Sequence, residues 1–229
     1  LQVAGQTGLS LWVAYYRRAL PAFLKARELI EDGAIGTPLM VHINLYKQAM
    51  ERHQSPDEMN WRVFPDTAGA GHFFDLASHQ FDYLDFLFGA VTEVNGRAVN
   101  YAGLYPAEDT VSGTWVHESG VTGTGSWSFI VERGSEKDEI LILGDRGEIT
   151  LSCFASPDIL KIKTIDGDKE LKFNNPEHIS QNLVKQVIDE LRGIGSCAST
   201  GQSAARTNRV LEEMVSNYYP QIGKRGPYR

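Results

Sequence analysis

Residues 138–154, DEILILGDRGEITLSCF, contain two apolar runs separated by a short polar turn. The runs at 138–143 and 147–154 have the length of strands, and Asp145-Arg146-Gly147 is a turn sequence that joins adjacent antiparallel strands. This stretch predicts a β-hairpin, and it therefore places an antiparallel sheet in the chain.

The same β-rich texture extends on both sides of the hairpin, from Val91 to about Phe173. Turn sequences at 118–120, 133–135 and 166–168 separate its runs. The candidate strands are 91–101, 110–117, 121–132, 138–143, 147–154, 158–165 and 169–173. Most of them should pair with their sequence neighbours, which predicts a large, predominantly antiparallel open sheet.

Helical patterns flank this region, and Leu39–Tyr46 alternates well enough for one more strand. The candidate helices are 21–32, 72–88, 176–192 and 203–218. Residues 47–59 are predicted to form a loop with at most one helical turn, and the basic end, 224–229, is predicted to be loose. The fold class is α+β, with the helices on one face of the sheet.

Three aromatic residues, Trp115, Trp127 and Phe129, stand in the register expected for the uncovered face of that sheet. Either helices elsewhere in the chain cover them or another subunit does. The second possibility predicts a homo-oligomer, a dimer or tetramer, that is built through the open sheet face.

The first residues look like part of a different unit. Residues 1–8 resemble the end of a helix, and Leu9–Tyr16, LSLWVAYY, is a near-continuous apolar run. Such runs are typical of strands buried in parallel sheets. A helix end followed by a buried strand is the close of a βα unit, whose beginning we expect to precede Leu1.

Composition excludes several classes of protein. The 229 residues are 42% hydrophobic and 22% charged, which is typical of globular chains. The 22 basic and 29 acidic side chains give a net charge of −7, which argues against nucleic-acid binding. No apolar run approaches the roughly 20 residues of a membrane span. Two cysteines, Cys153 and Cys197, are expected to be inert core residues without metal-ligand spacing, and a reducing cytoplasm is the default location.

The segment 72–88 carries the richest chemistry. Asp75 and His79 are four residues apart and share a helical face, with Asp82 three residues further. A carboxylate beside an imidazole fixes its tautomer and holds its pKa near neutrality for proton transfer. The alternative is that these side chains form the solvated stripe of an amphipathic helix. Small residues at 68–71 let another chain segment or a ligand approach the start of this helix.

Two further pairs are candidates for ligand contacts. The indole of Trp61 can stack on a sugar ring and the guanidinium of Arg62 can bond several hydroxyls, although a core indole and a surface ion pair are the simpler alternatives. Tyr16 and Arg17 end the predicted buried strand, where ligand sites of α/β sheets gather. The simpler alternative is that these side chains are an ordinary aromatic residue and cation at the end of a strand, without a ligand. The chain contains no complete glycine-rich dinucleotide fingerprint.

Three blocks of sequence resemble the Gfo/Idh/MocA oxidoreductases, the relatives of glucose–fructose oxidoreductase and inositol dehydrogenase. They are Val13–Arg18 with Pro21 and Leu29–Gly36, Asn60–Arg62 with Gly69–Asp82, and Ser199–Asn208. The second block is similar to the 1,5-anhydrofructose reductase-like branch, although Ala70 stands where the family usually has glycine. The resemblance covers essentially the whole chain.

The resemblance implies a two-domain enzyme. Residues 1–36 would be a remnant of a Rossmann domain, its last strand and linking helix, and 37–229 the substrate-binding and oligomerisation domain. The glycine-rich fingerprint and a Glu-Lys-Pro motif with a catalytic lysine would precede Leu1. NAD or NADP would be bound mainly by that N-terminal domain, so we expect the chain to bind it weakly or not at all.

The resemblance also implies roles for individual residues. His79 would exchange the proton of the substrate carbinol, and Asp75 would orient His79 or hold a substrate hydroxyl. Trp61 and Arg62 would line a sugar pocket, and Tyr16 with Arg17 would lie near the nicotinamide. The expected activity is hydride transfer between NAD(P) and a sugar or polyol. An NAD-dependent glycoside hydrolase of the same family and a non-catalytic assembly module stay open as alternatives.

Overall fold

The computed structural model describes residues 1–49 and 60–219, which contain six α-helices and eight β-strands. The helices are α1 (Gln2–Thr7), α2 (Pro21–Glu31), α3 (Pro65–Ala68), α4 (His72–Phe88), α5 (Gln181–Leu191) and α6 (Gly201–Met214). The strands are β1 (Pro38–Gln48), β2 (Val91–Val99), β3 (Thr110–His117), β4 (Thr122–Val131), β5 (Lys137–Gly144), β6 (Gly147–Leu151), β7 (Ile159–Thr164) and β8 (Gly167–Lys172). The predictions for most of 47–59 and for 224–229 lie outside the described residues.

All eight strands form one sheet in the order β2-β3-β4-β1-β5-β6-β7-β8. Every neighbouring pair is antiparallel except β1 and β4, which run parallel with Met40 opposite Thr122. The first strand of the chain thus lies in the middle of the sheet, between two series of hairpins. The prediction of a large, predominantly antiparallel sheet in an α+β fold is confirmed.

Helices of the same chain cover the aromatic face of the sheet. Phe81 of α4 packs edge-on against Trp115, with ring centroids 4.9 Å apart, and Phe73 packs against Trp127 at 5.0 Å. These rings and Phe129 are buried. Of the two possibilities left open by the sequence, the first is correct, and these aromatic side chains do not lie on the open face.

The opposite face of the sheet is polar. His42 Nδ1 lies 2.6 Å from Thr124 Oγ1, and the Tyr46 hydroxyl lies 2.7 Å from Ser126 Oγ and 2.9 Å from Asn44 Oδ1. All these side chains are partly exposed. The alternation of β1 and β4 therefore separates an apolar face under α4 from a hydrogen-bonded polar face.

The buried strand that the sequence predicts at residues 9–16 is absent from the structure. The helix before them is present and ends at Gly8 with φ 67°, as expected. The buried strand does not form, because among the described residues only Thr200 pairs with this run, in a single bridge to Trp12. A strand needs hydrogen-bonded neighbours along its length. Leu9 and Leu11 are instead exposed, and the domain division at residue 36 stays a prediction.

Two helix boundaries also differ from the sequence pattern. Helix α5 begins at Gln181 and not at Pro176. Helix α6 begins at Gly201, because Thr200 and Ser203 form a capping box, and it ends at Met214 where a turn follows. None of the helices in 1–49 and 60–219 has the length and hydropathy needed to cross a bilayer.

Candidate functional site

His79, on α4, lies in an aromatic box formed by Tyr15, Tyr16 and Phe154. Its ring centroid is 5.4 Å from those of Tyr15 and Tyr16 and 6.2 Å from that of Phe154. The two tyrosines come from the start of the 3₁₀ helix at 16–19, and Phe154 comes from the loop after β6. His79 remains partly exposed, so the box has an open side.

The box keeps the imidazole of His79 uncharged. Burial, with a smaller contribution from the positive charge of Arg17, lowers the pKa of His79 to about 3. The Nδ1 atom is buried and has no hydrogen-bond partner among the described residues. The predicted pairing with Asp75 does not form, because the Asp75 carboxylate binds Arg62 instead. The imidazole is therefore neutral, and burial rather than a carboxylate sets its protonation state.

Asp75, Arg62 and Trp61 form a second group, the polar cluster, one helical turn before His79. Arg62 Nε lies 3.1 Å from Asp75 Oδ2, and the guanidinium stacks 4.6 Å from the Trp61 ring centroid. The 3₁₀ helix at 61–63 presents both residues, and the Asn60 side chain accepts a hydrogen bond from the Arg62 amide. Trp61 is 54% exposed, so it is not a core indole. The cluster thus offers a stacking face and hydrogen-bonding groups to solvent.

Arg17 forms part of the floor of the aromatic box. Its side chain is buried, and its Nε and Nη2 atoms donate to the Cys153 carbonyl at 2.8 and 2.6 Å. The guanidinium carbon lies 4.7 Å from the Tyr16 ring centroid and 4.4 Å from that of Phe154. Tyr16 and Arg17 are therefore brought together with His79, whereas Asp75 belongs to the neighbouring polar cluster.

The sequence left open whether the small residues at 68–71 make room for a ligand or for another segment of the chain. In the structure another segment, which contains Ala107 and Glu108, packs there. The Gly71 amide donates to Glu108 Oε1 at 3.2 Å. A Cβ atom at Gly71 would lie 2.8 Å from both Ala107 Cβ and Glu108 Oε2. The Tyr219 hydroxyl donates to the other oxygen of Glu108 at 2.6 Å. This buried carboxylate therefore anchors the start of α4.

Sequence reasoning missed Phe154, and it missed Lys47, whose Nζ lies 5.6 Å from the Phe154 ring centroid. Neither residue belongs to a sequence motif, because both reach the site only through the pairing of strands that are distant in sequence. Asp82 is part of the quoted motif, but its carboxylate is buried in an ion pair with Arg18.

No metal centre is formed by the residues that the structure describes, since they contain no group of three or more metal-ligating side chains in a suitable arrangement. Cys153 and Cys197 are both buried free thiols. Burial raises the pKa of the Cys153 thiol to about 12, and it also raises that of Cys197. Both cysteines are therefore unreactive core residues.

The family model of the GFO/IDH/MocA C-terminal domain matches residues 23–150, more than half of the chain. The chain belongs to this family. The matched range includes the polar cluster, His79 and strands β1 to β5, whereas Tyr15, Tyr16, Arg17 and Phe154 lie just outside it.

The relatives of this GFO/IDH/MocA chain are oxidoreductases. Oxidoreductase P35 of Formosa agariphila is 26% identical over 212 residues, which are 93% of this chain and 64% of the relative. D-xylose 1-dehydrogenase [NADP(+)] of Haloarcula marismortui is 30% identical over 90 residues, 39% of this chain and 24% of that enzyme. The chain thus spans less than two thirds of the length of these relatives.

The fold is shared with a solved levoglucosan dehydrogenase in complex with NADH and levoglucosan. The two structures superpose with a TM-score of 0.75 at 20% sequence identity, over 93% of this chain and 66% of that one. The eight-stranded sheet with helices on one face is therefore the fold of known GFO/IDH/MocA oxidoreductases.

Proposed function

We propose that this chain is the C-terminal substrate domain of an NAD(P)-dependent oxidoreductase that acts on a sugar or polyol. The observation that carries the proposal is the partly exposed imidazole of His79 in its aromatic box, one helical turn from the Arg62–Asp75 pair. A proton acceptor beside hydrogen-bonding groups is what oxidation of a carbinol requires. Relatives named for D-xylose and levoglucosan support the sugar class.

NAD or NADP, when bound, would accept or supply the hydride. Tyr16 offers a partly exposed ring 5.4 Å from the His79 ring, which suits the packing of a flat nicotinamide. Arg17 supports that ring from its buried side. The described residues contain no dinucleotide fingerprint, so we expect residues 1–229 alone to bind NAD(H) weakly, and a micromolar affinity by calorimetry would contradict this.

In the oxidation direction, neutral His79 would take the proton of the substrate hydroxyl as the hydride leaves the same carbon. Asp75 would hold a neighbouring hydroxyl of the substrate, because its carboxylate is 45% exposed even when paired. Arg62 would donate to further hydroxyls, and Trp61 would stack on the sugar ring. Positioning by the polar cluster and proton transfer at His79 are the contributions of this chain.

The test uses the intact protein, with any residues that precede Leu1 in the coding sequence, and follows NAD(P)⁺ reduction with a panel of sugars and polyols. The panel includes 1,5-anhydro-D-fructose with NAD(P)H, since the Trp61-Arg62 pair is similar to that branch. His79→Asn should lower kcat by roughly 10²- to 10⁴-fold. The matched control, His178→Asn at an exposed position before α5, should leave kcat unchanged.

Unchanged turnover in His79→Asn would contradict the proposal and favour a non-catalytic module. Release of free sugar from a nitrophenyl glycoside without net NADH formation would favour the glycoside hydrolase alternative.

We also propose a homo-oligomer that is built through the polar sheet face of β1, β3 and β4. The buried aromatic residues no longer support it, so the support is the partly exposed, hydrogen-bonded array of His42, Thr124 and Tyr46. Light scattering should find a dimer or tetramer, and a monomer would contradict the proposal.

A further inference from the structure

One carboxylate shapes the loop that follows β6. Asp138, on β5, accepts four hydrogen bonds from consecutive residues of this loop. The donors are Ser152 Oγ at 2.6 Å and the backbone amides of Cys153 at 3.1 Å, Phe154 at 2.6 Å and Ala155 at 2.7 Å. We name residues 152–155 the Asp138 turn.

The turn needs this carboxylate because β6 separates from β5 at this point. The last residue of β6, Leu151, lies opposite Ile140, and the amides that follow have no strand partner. Cys153 is fully buried, and a buried amide without an acceptor would cost roughly 1–3 kcal/mol. Asp138, two residues before Ile140, supplies the missing acceptors. The predicted strand 147–154 therefore ends at Leu151.

The Asp138 turn presents two groups to the aromatic box. The Cys153 carbonyl receives both hydrogen bonds from Arg17, and the Phe154 ring lies 4.4 Å from the Arg17 guanidinium carbon. The Phe154 ring is also the wall of the box 6.2 Å from the His79 ring. Carboxylate, turn, guanidinium and imidazole thus form one continuous chain of contacts.

We propose that Asp138 is a positioning residue for the reaction at His79, acting through the Asp138 turn, which fixes Arg17 and Phe154 against the imidazole. The inference rests on the proposed function for its kinetic readout only. Its structural readout, the titration of His79, does not depend on turnover.

The test compares Asp138→Asn with the wild-type intact protein. An asparagine has one acceptor oxygen where the carboxylate has two, so the turn loosens. Water then reaches His79 and the charge of Arg17 moves away, and both changes raise the pKa of His79 by about one unit or more in an NMR titration of ¹⁵N-histidine-labelled protein. The value of kcat should fall by up to about a hundredfold, with a smaller change in KM.

Asp145→Asn is the matched control. Asp145 also holds a loop, since its Oδ1 accepts the Thr37 amide at 2.8 Å, but it lies in the β5–β6 turn at the other end of these strands. This variant should lose stability without a change in the His79 titration or in kcat.

A loss of stability in Asp138→Asn with an unchanged His79 titration would overturn the inference. A shifted titration in a protein without any oxidoreductase turnover would leave the positioning role standing and defeat the proposed function. If Asp138→Asn does not fold, Ser152→Ala removes one donor to Asp138 and should shift the titration in the same direction. No shift in that variant would also overturn the inference.

Discussion

Arg18 and Asp82 form a buried two-point ion pair. Arg18 Nη2 lies 2.8 Å from Asp82 Oδ1, Arg18 Nε lies 2.8 Å from Asp82 Oδ2, and the side chains are 5% and 0% exposed. Arg18 also reaches Asp85 at 3.1 Å, which Arg206 of α6 binds from the other side. The network ties the 3₁₀ helix, α4 and α6 together one turn beyond His79.

Asp82→Asn should lower the free energy of unfolding by about 3–5 kcal/mol, because it leaves the Arg18 guanidinium buried without its counter-charge. The double variant Asp82→Asn with Arg18→Met should lose less than the sum of the two single variants. Urea denaturation of the four proteins measures this coupling. As a control, Glu31→Gln breaks the exposed pair with Arg27 and should cost less than about 1 kcal/mol. Additive losses at Arg18 and Asp82 would contradict the coupling.

The stability of the protein should depend on pH through Glu108. Burial raises the pKa of Glu108 from 4.5 to about 7, against the opposing effect of its hydrogen bonds from Tyr219 and Gly71. Because the folded state holds this proton more tightly, its contribution is complete below about pH 4.5 and is lost as the pH rises through 7.

The glutamine of Glu108→Gln does not titrate, so this variant should lack the pH dependence that Glu108 gives to the stability of the protein. Between pH 4.5 and 8, the stability of the wild type should therefore fall by roughly 3 kcal/mol relative to the variant. Urea denaturation of both proteins across this range measures the difference. Parallel stability curves would show that Glu108 does not titrate in this way.

Asp75→Asn should separate function from stability. Its partner Arg62 and Asp75 itself are 39% and 45% exposed, so the loss of their ion pair should change the unfolding free energy by less than about 1 kcal/mol. In the intact protein, the same variant should lower kcat/KM for the sugar by roughly tenfold or more, since a substrate hydroxyl loses a charged acceptor. Thermal unfolding and steady-state kinetics are compared. Steady-state kinetics of Asp75→Asn that equal those of the wild type would contradict a role of Asp75 in substrate binding.

Gly123→Ala should disrupt the packing of the aromatic face. A Cβ atom at Gly123 would lie 2.0 Å from the indole of Trp115, which cannot move within the core. We expect a loss of about 1–3 kcal/mol in urea denaturation. Gly5→Ala in α1, with no atom within 4 Å of its added Cβ, should not lower stability. Equal stability of the two variants would contradict the close packing of Trp115 on β4.

The local elements were predictable because their signals lie within a few residues. Both ends of α4 were predicted, since its apolar spacing repeats every three to four residues and Gly89, with φ 77°, ends it. The hairpin at 138–154 was predicted from its turn. The candidate residues His79, Arg62 and Tyr16 were identified from spacing, side-chain chemistry and position, and the family resemblance then implied a role for each.

The sequence by itself determined the fold class, the pairing of most neighbouring strands and the helix that carries His79, because periodicity and turn chemistry act locally. It did not place β1 between β4 and β5, since that pairing joins strands distant in sequence. Only the tertiary structure decided which sheet face is covered, since alternation defines two faces without saying which one meets a helix. It also decided that Asp75 pairs with Arg62 and that Asp138 supports Phe154. These contacts join residues from separate elements, and the folded packing alone fixes their distances.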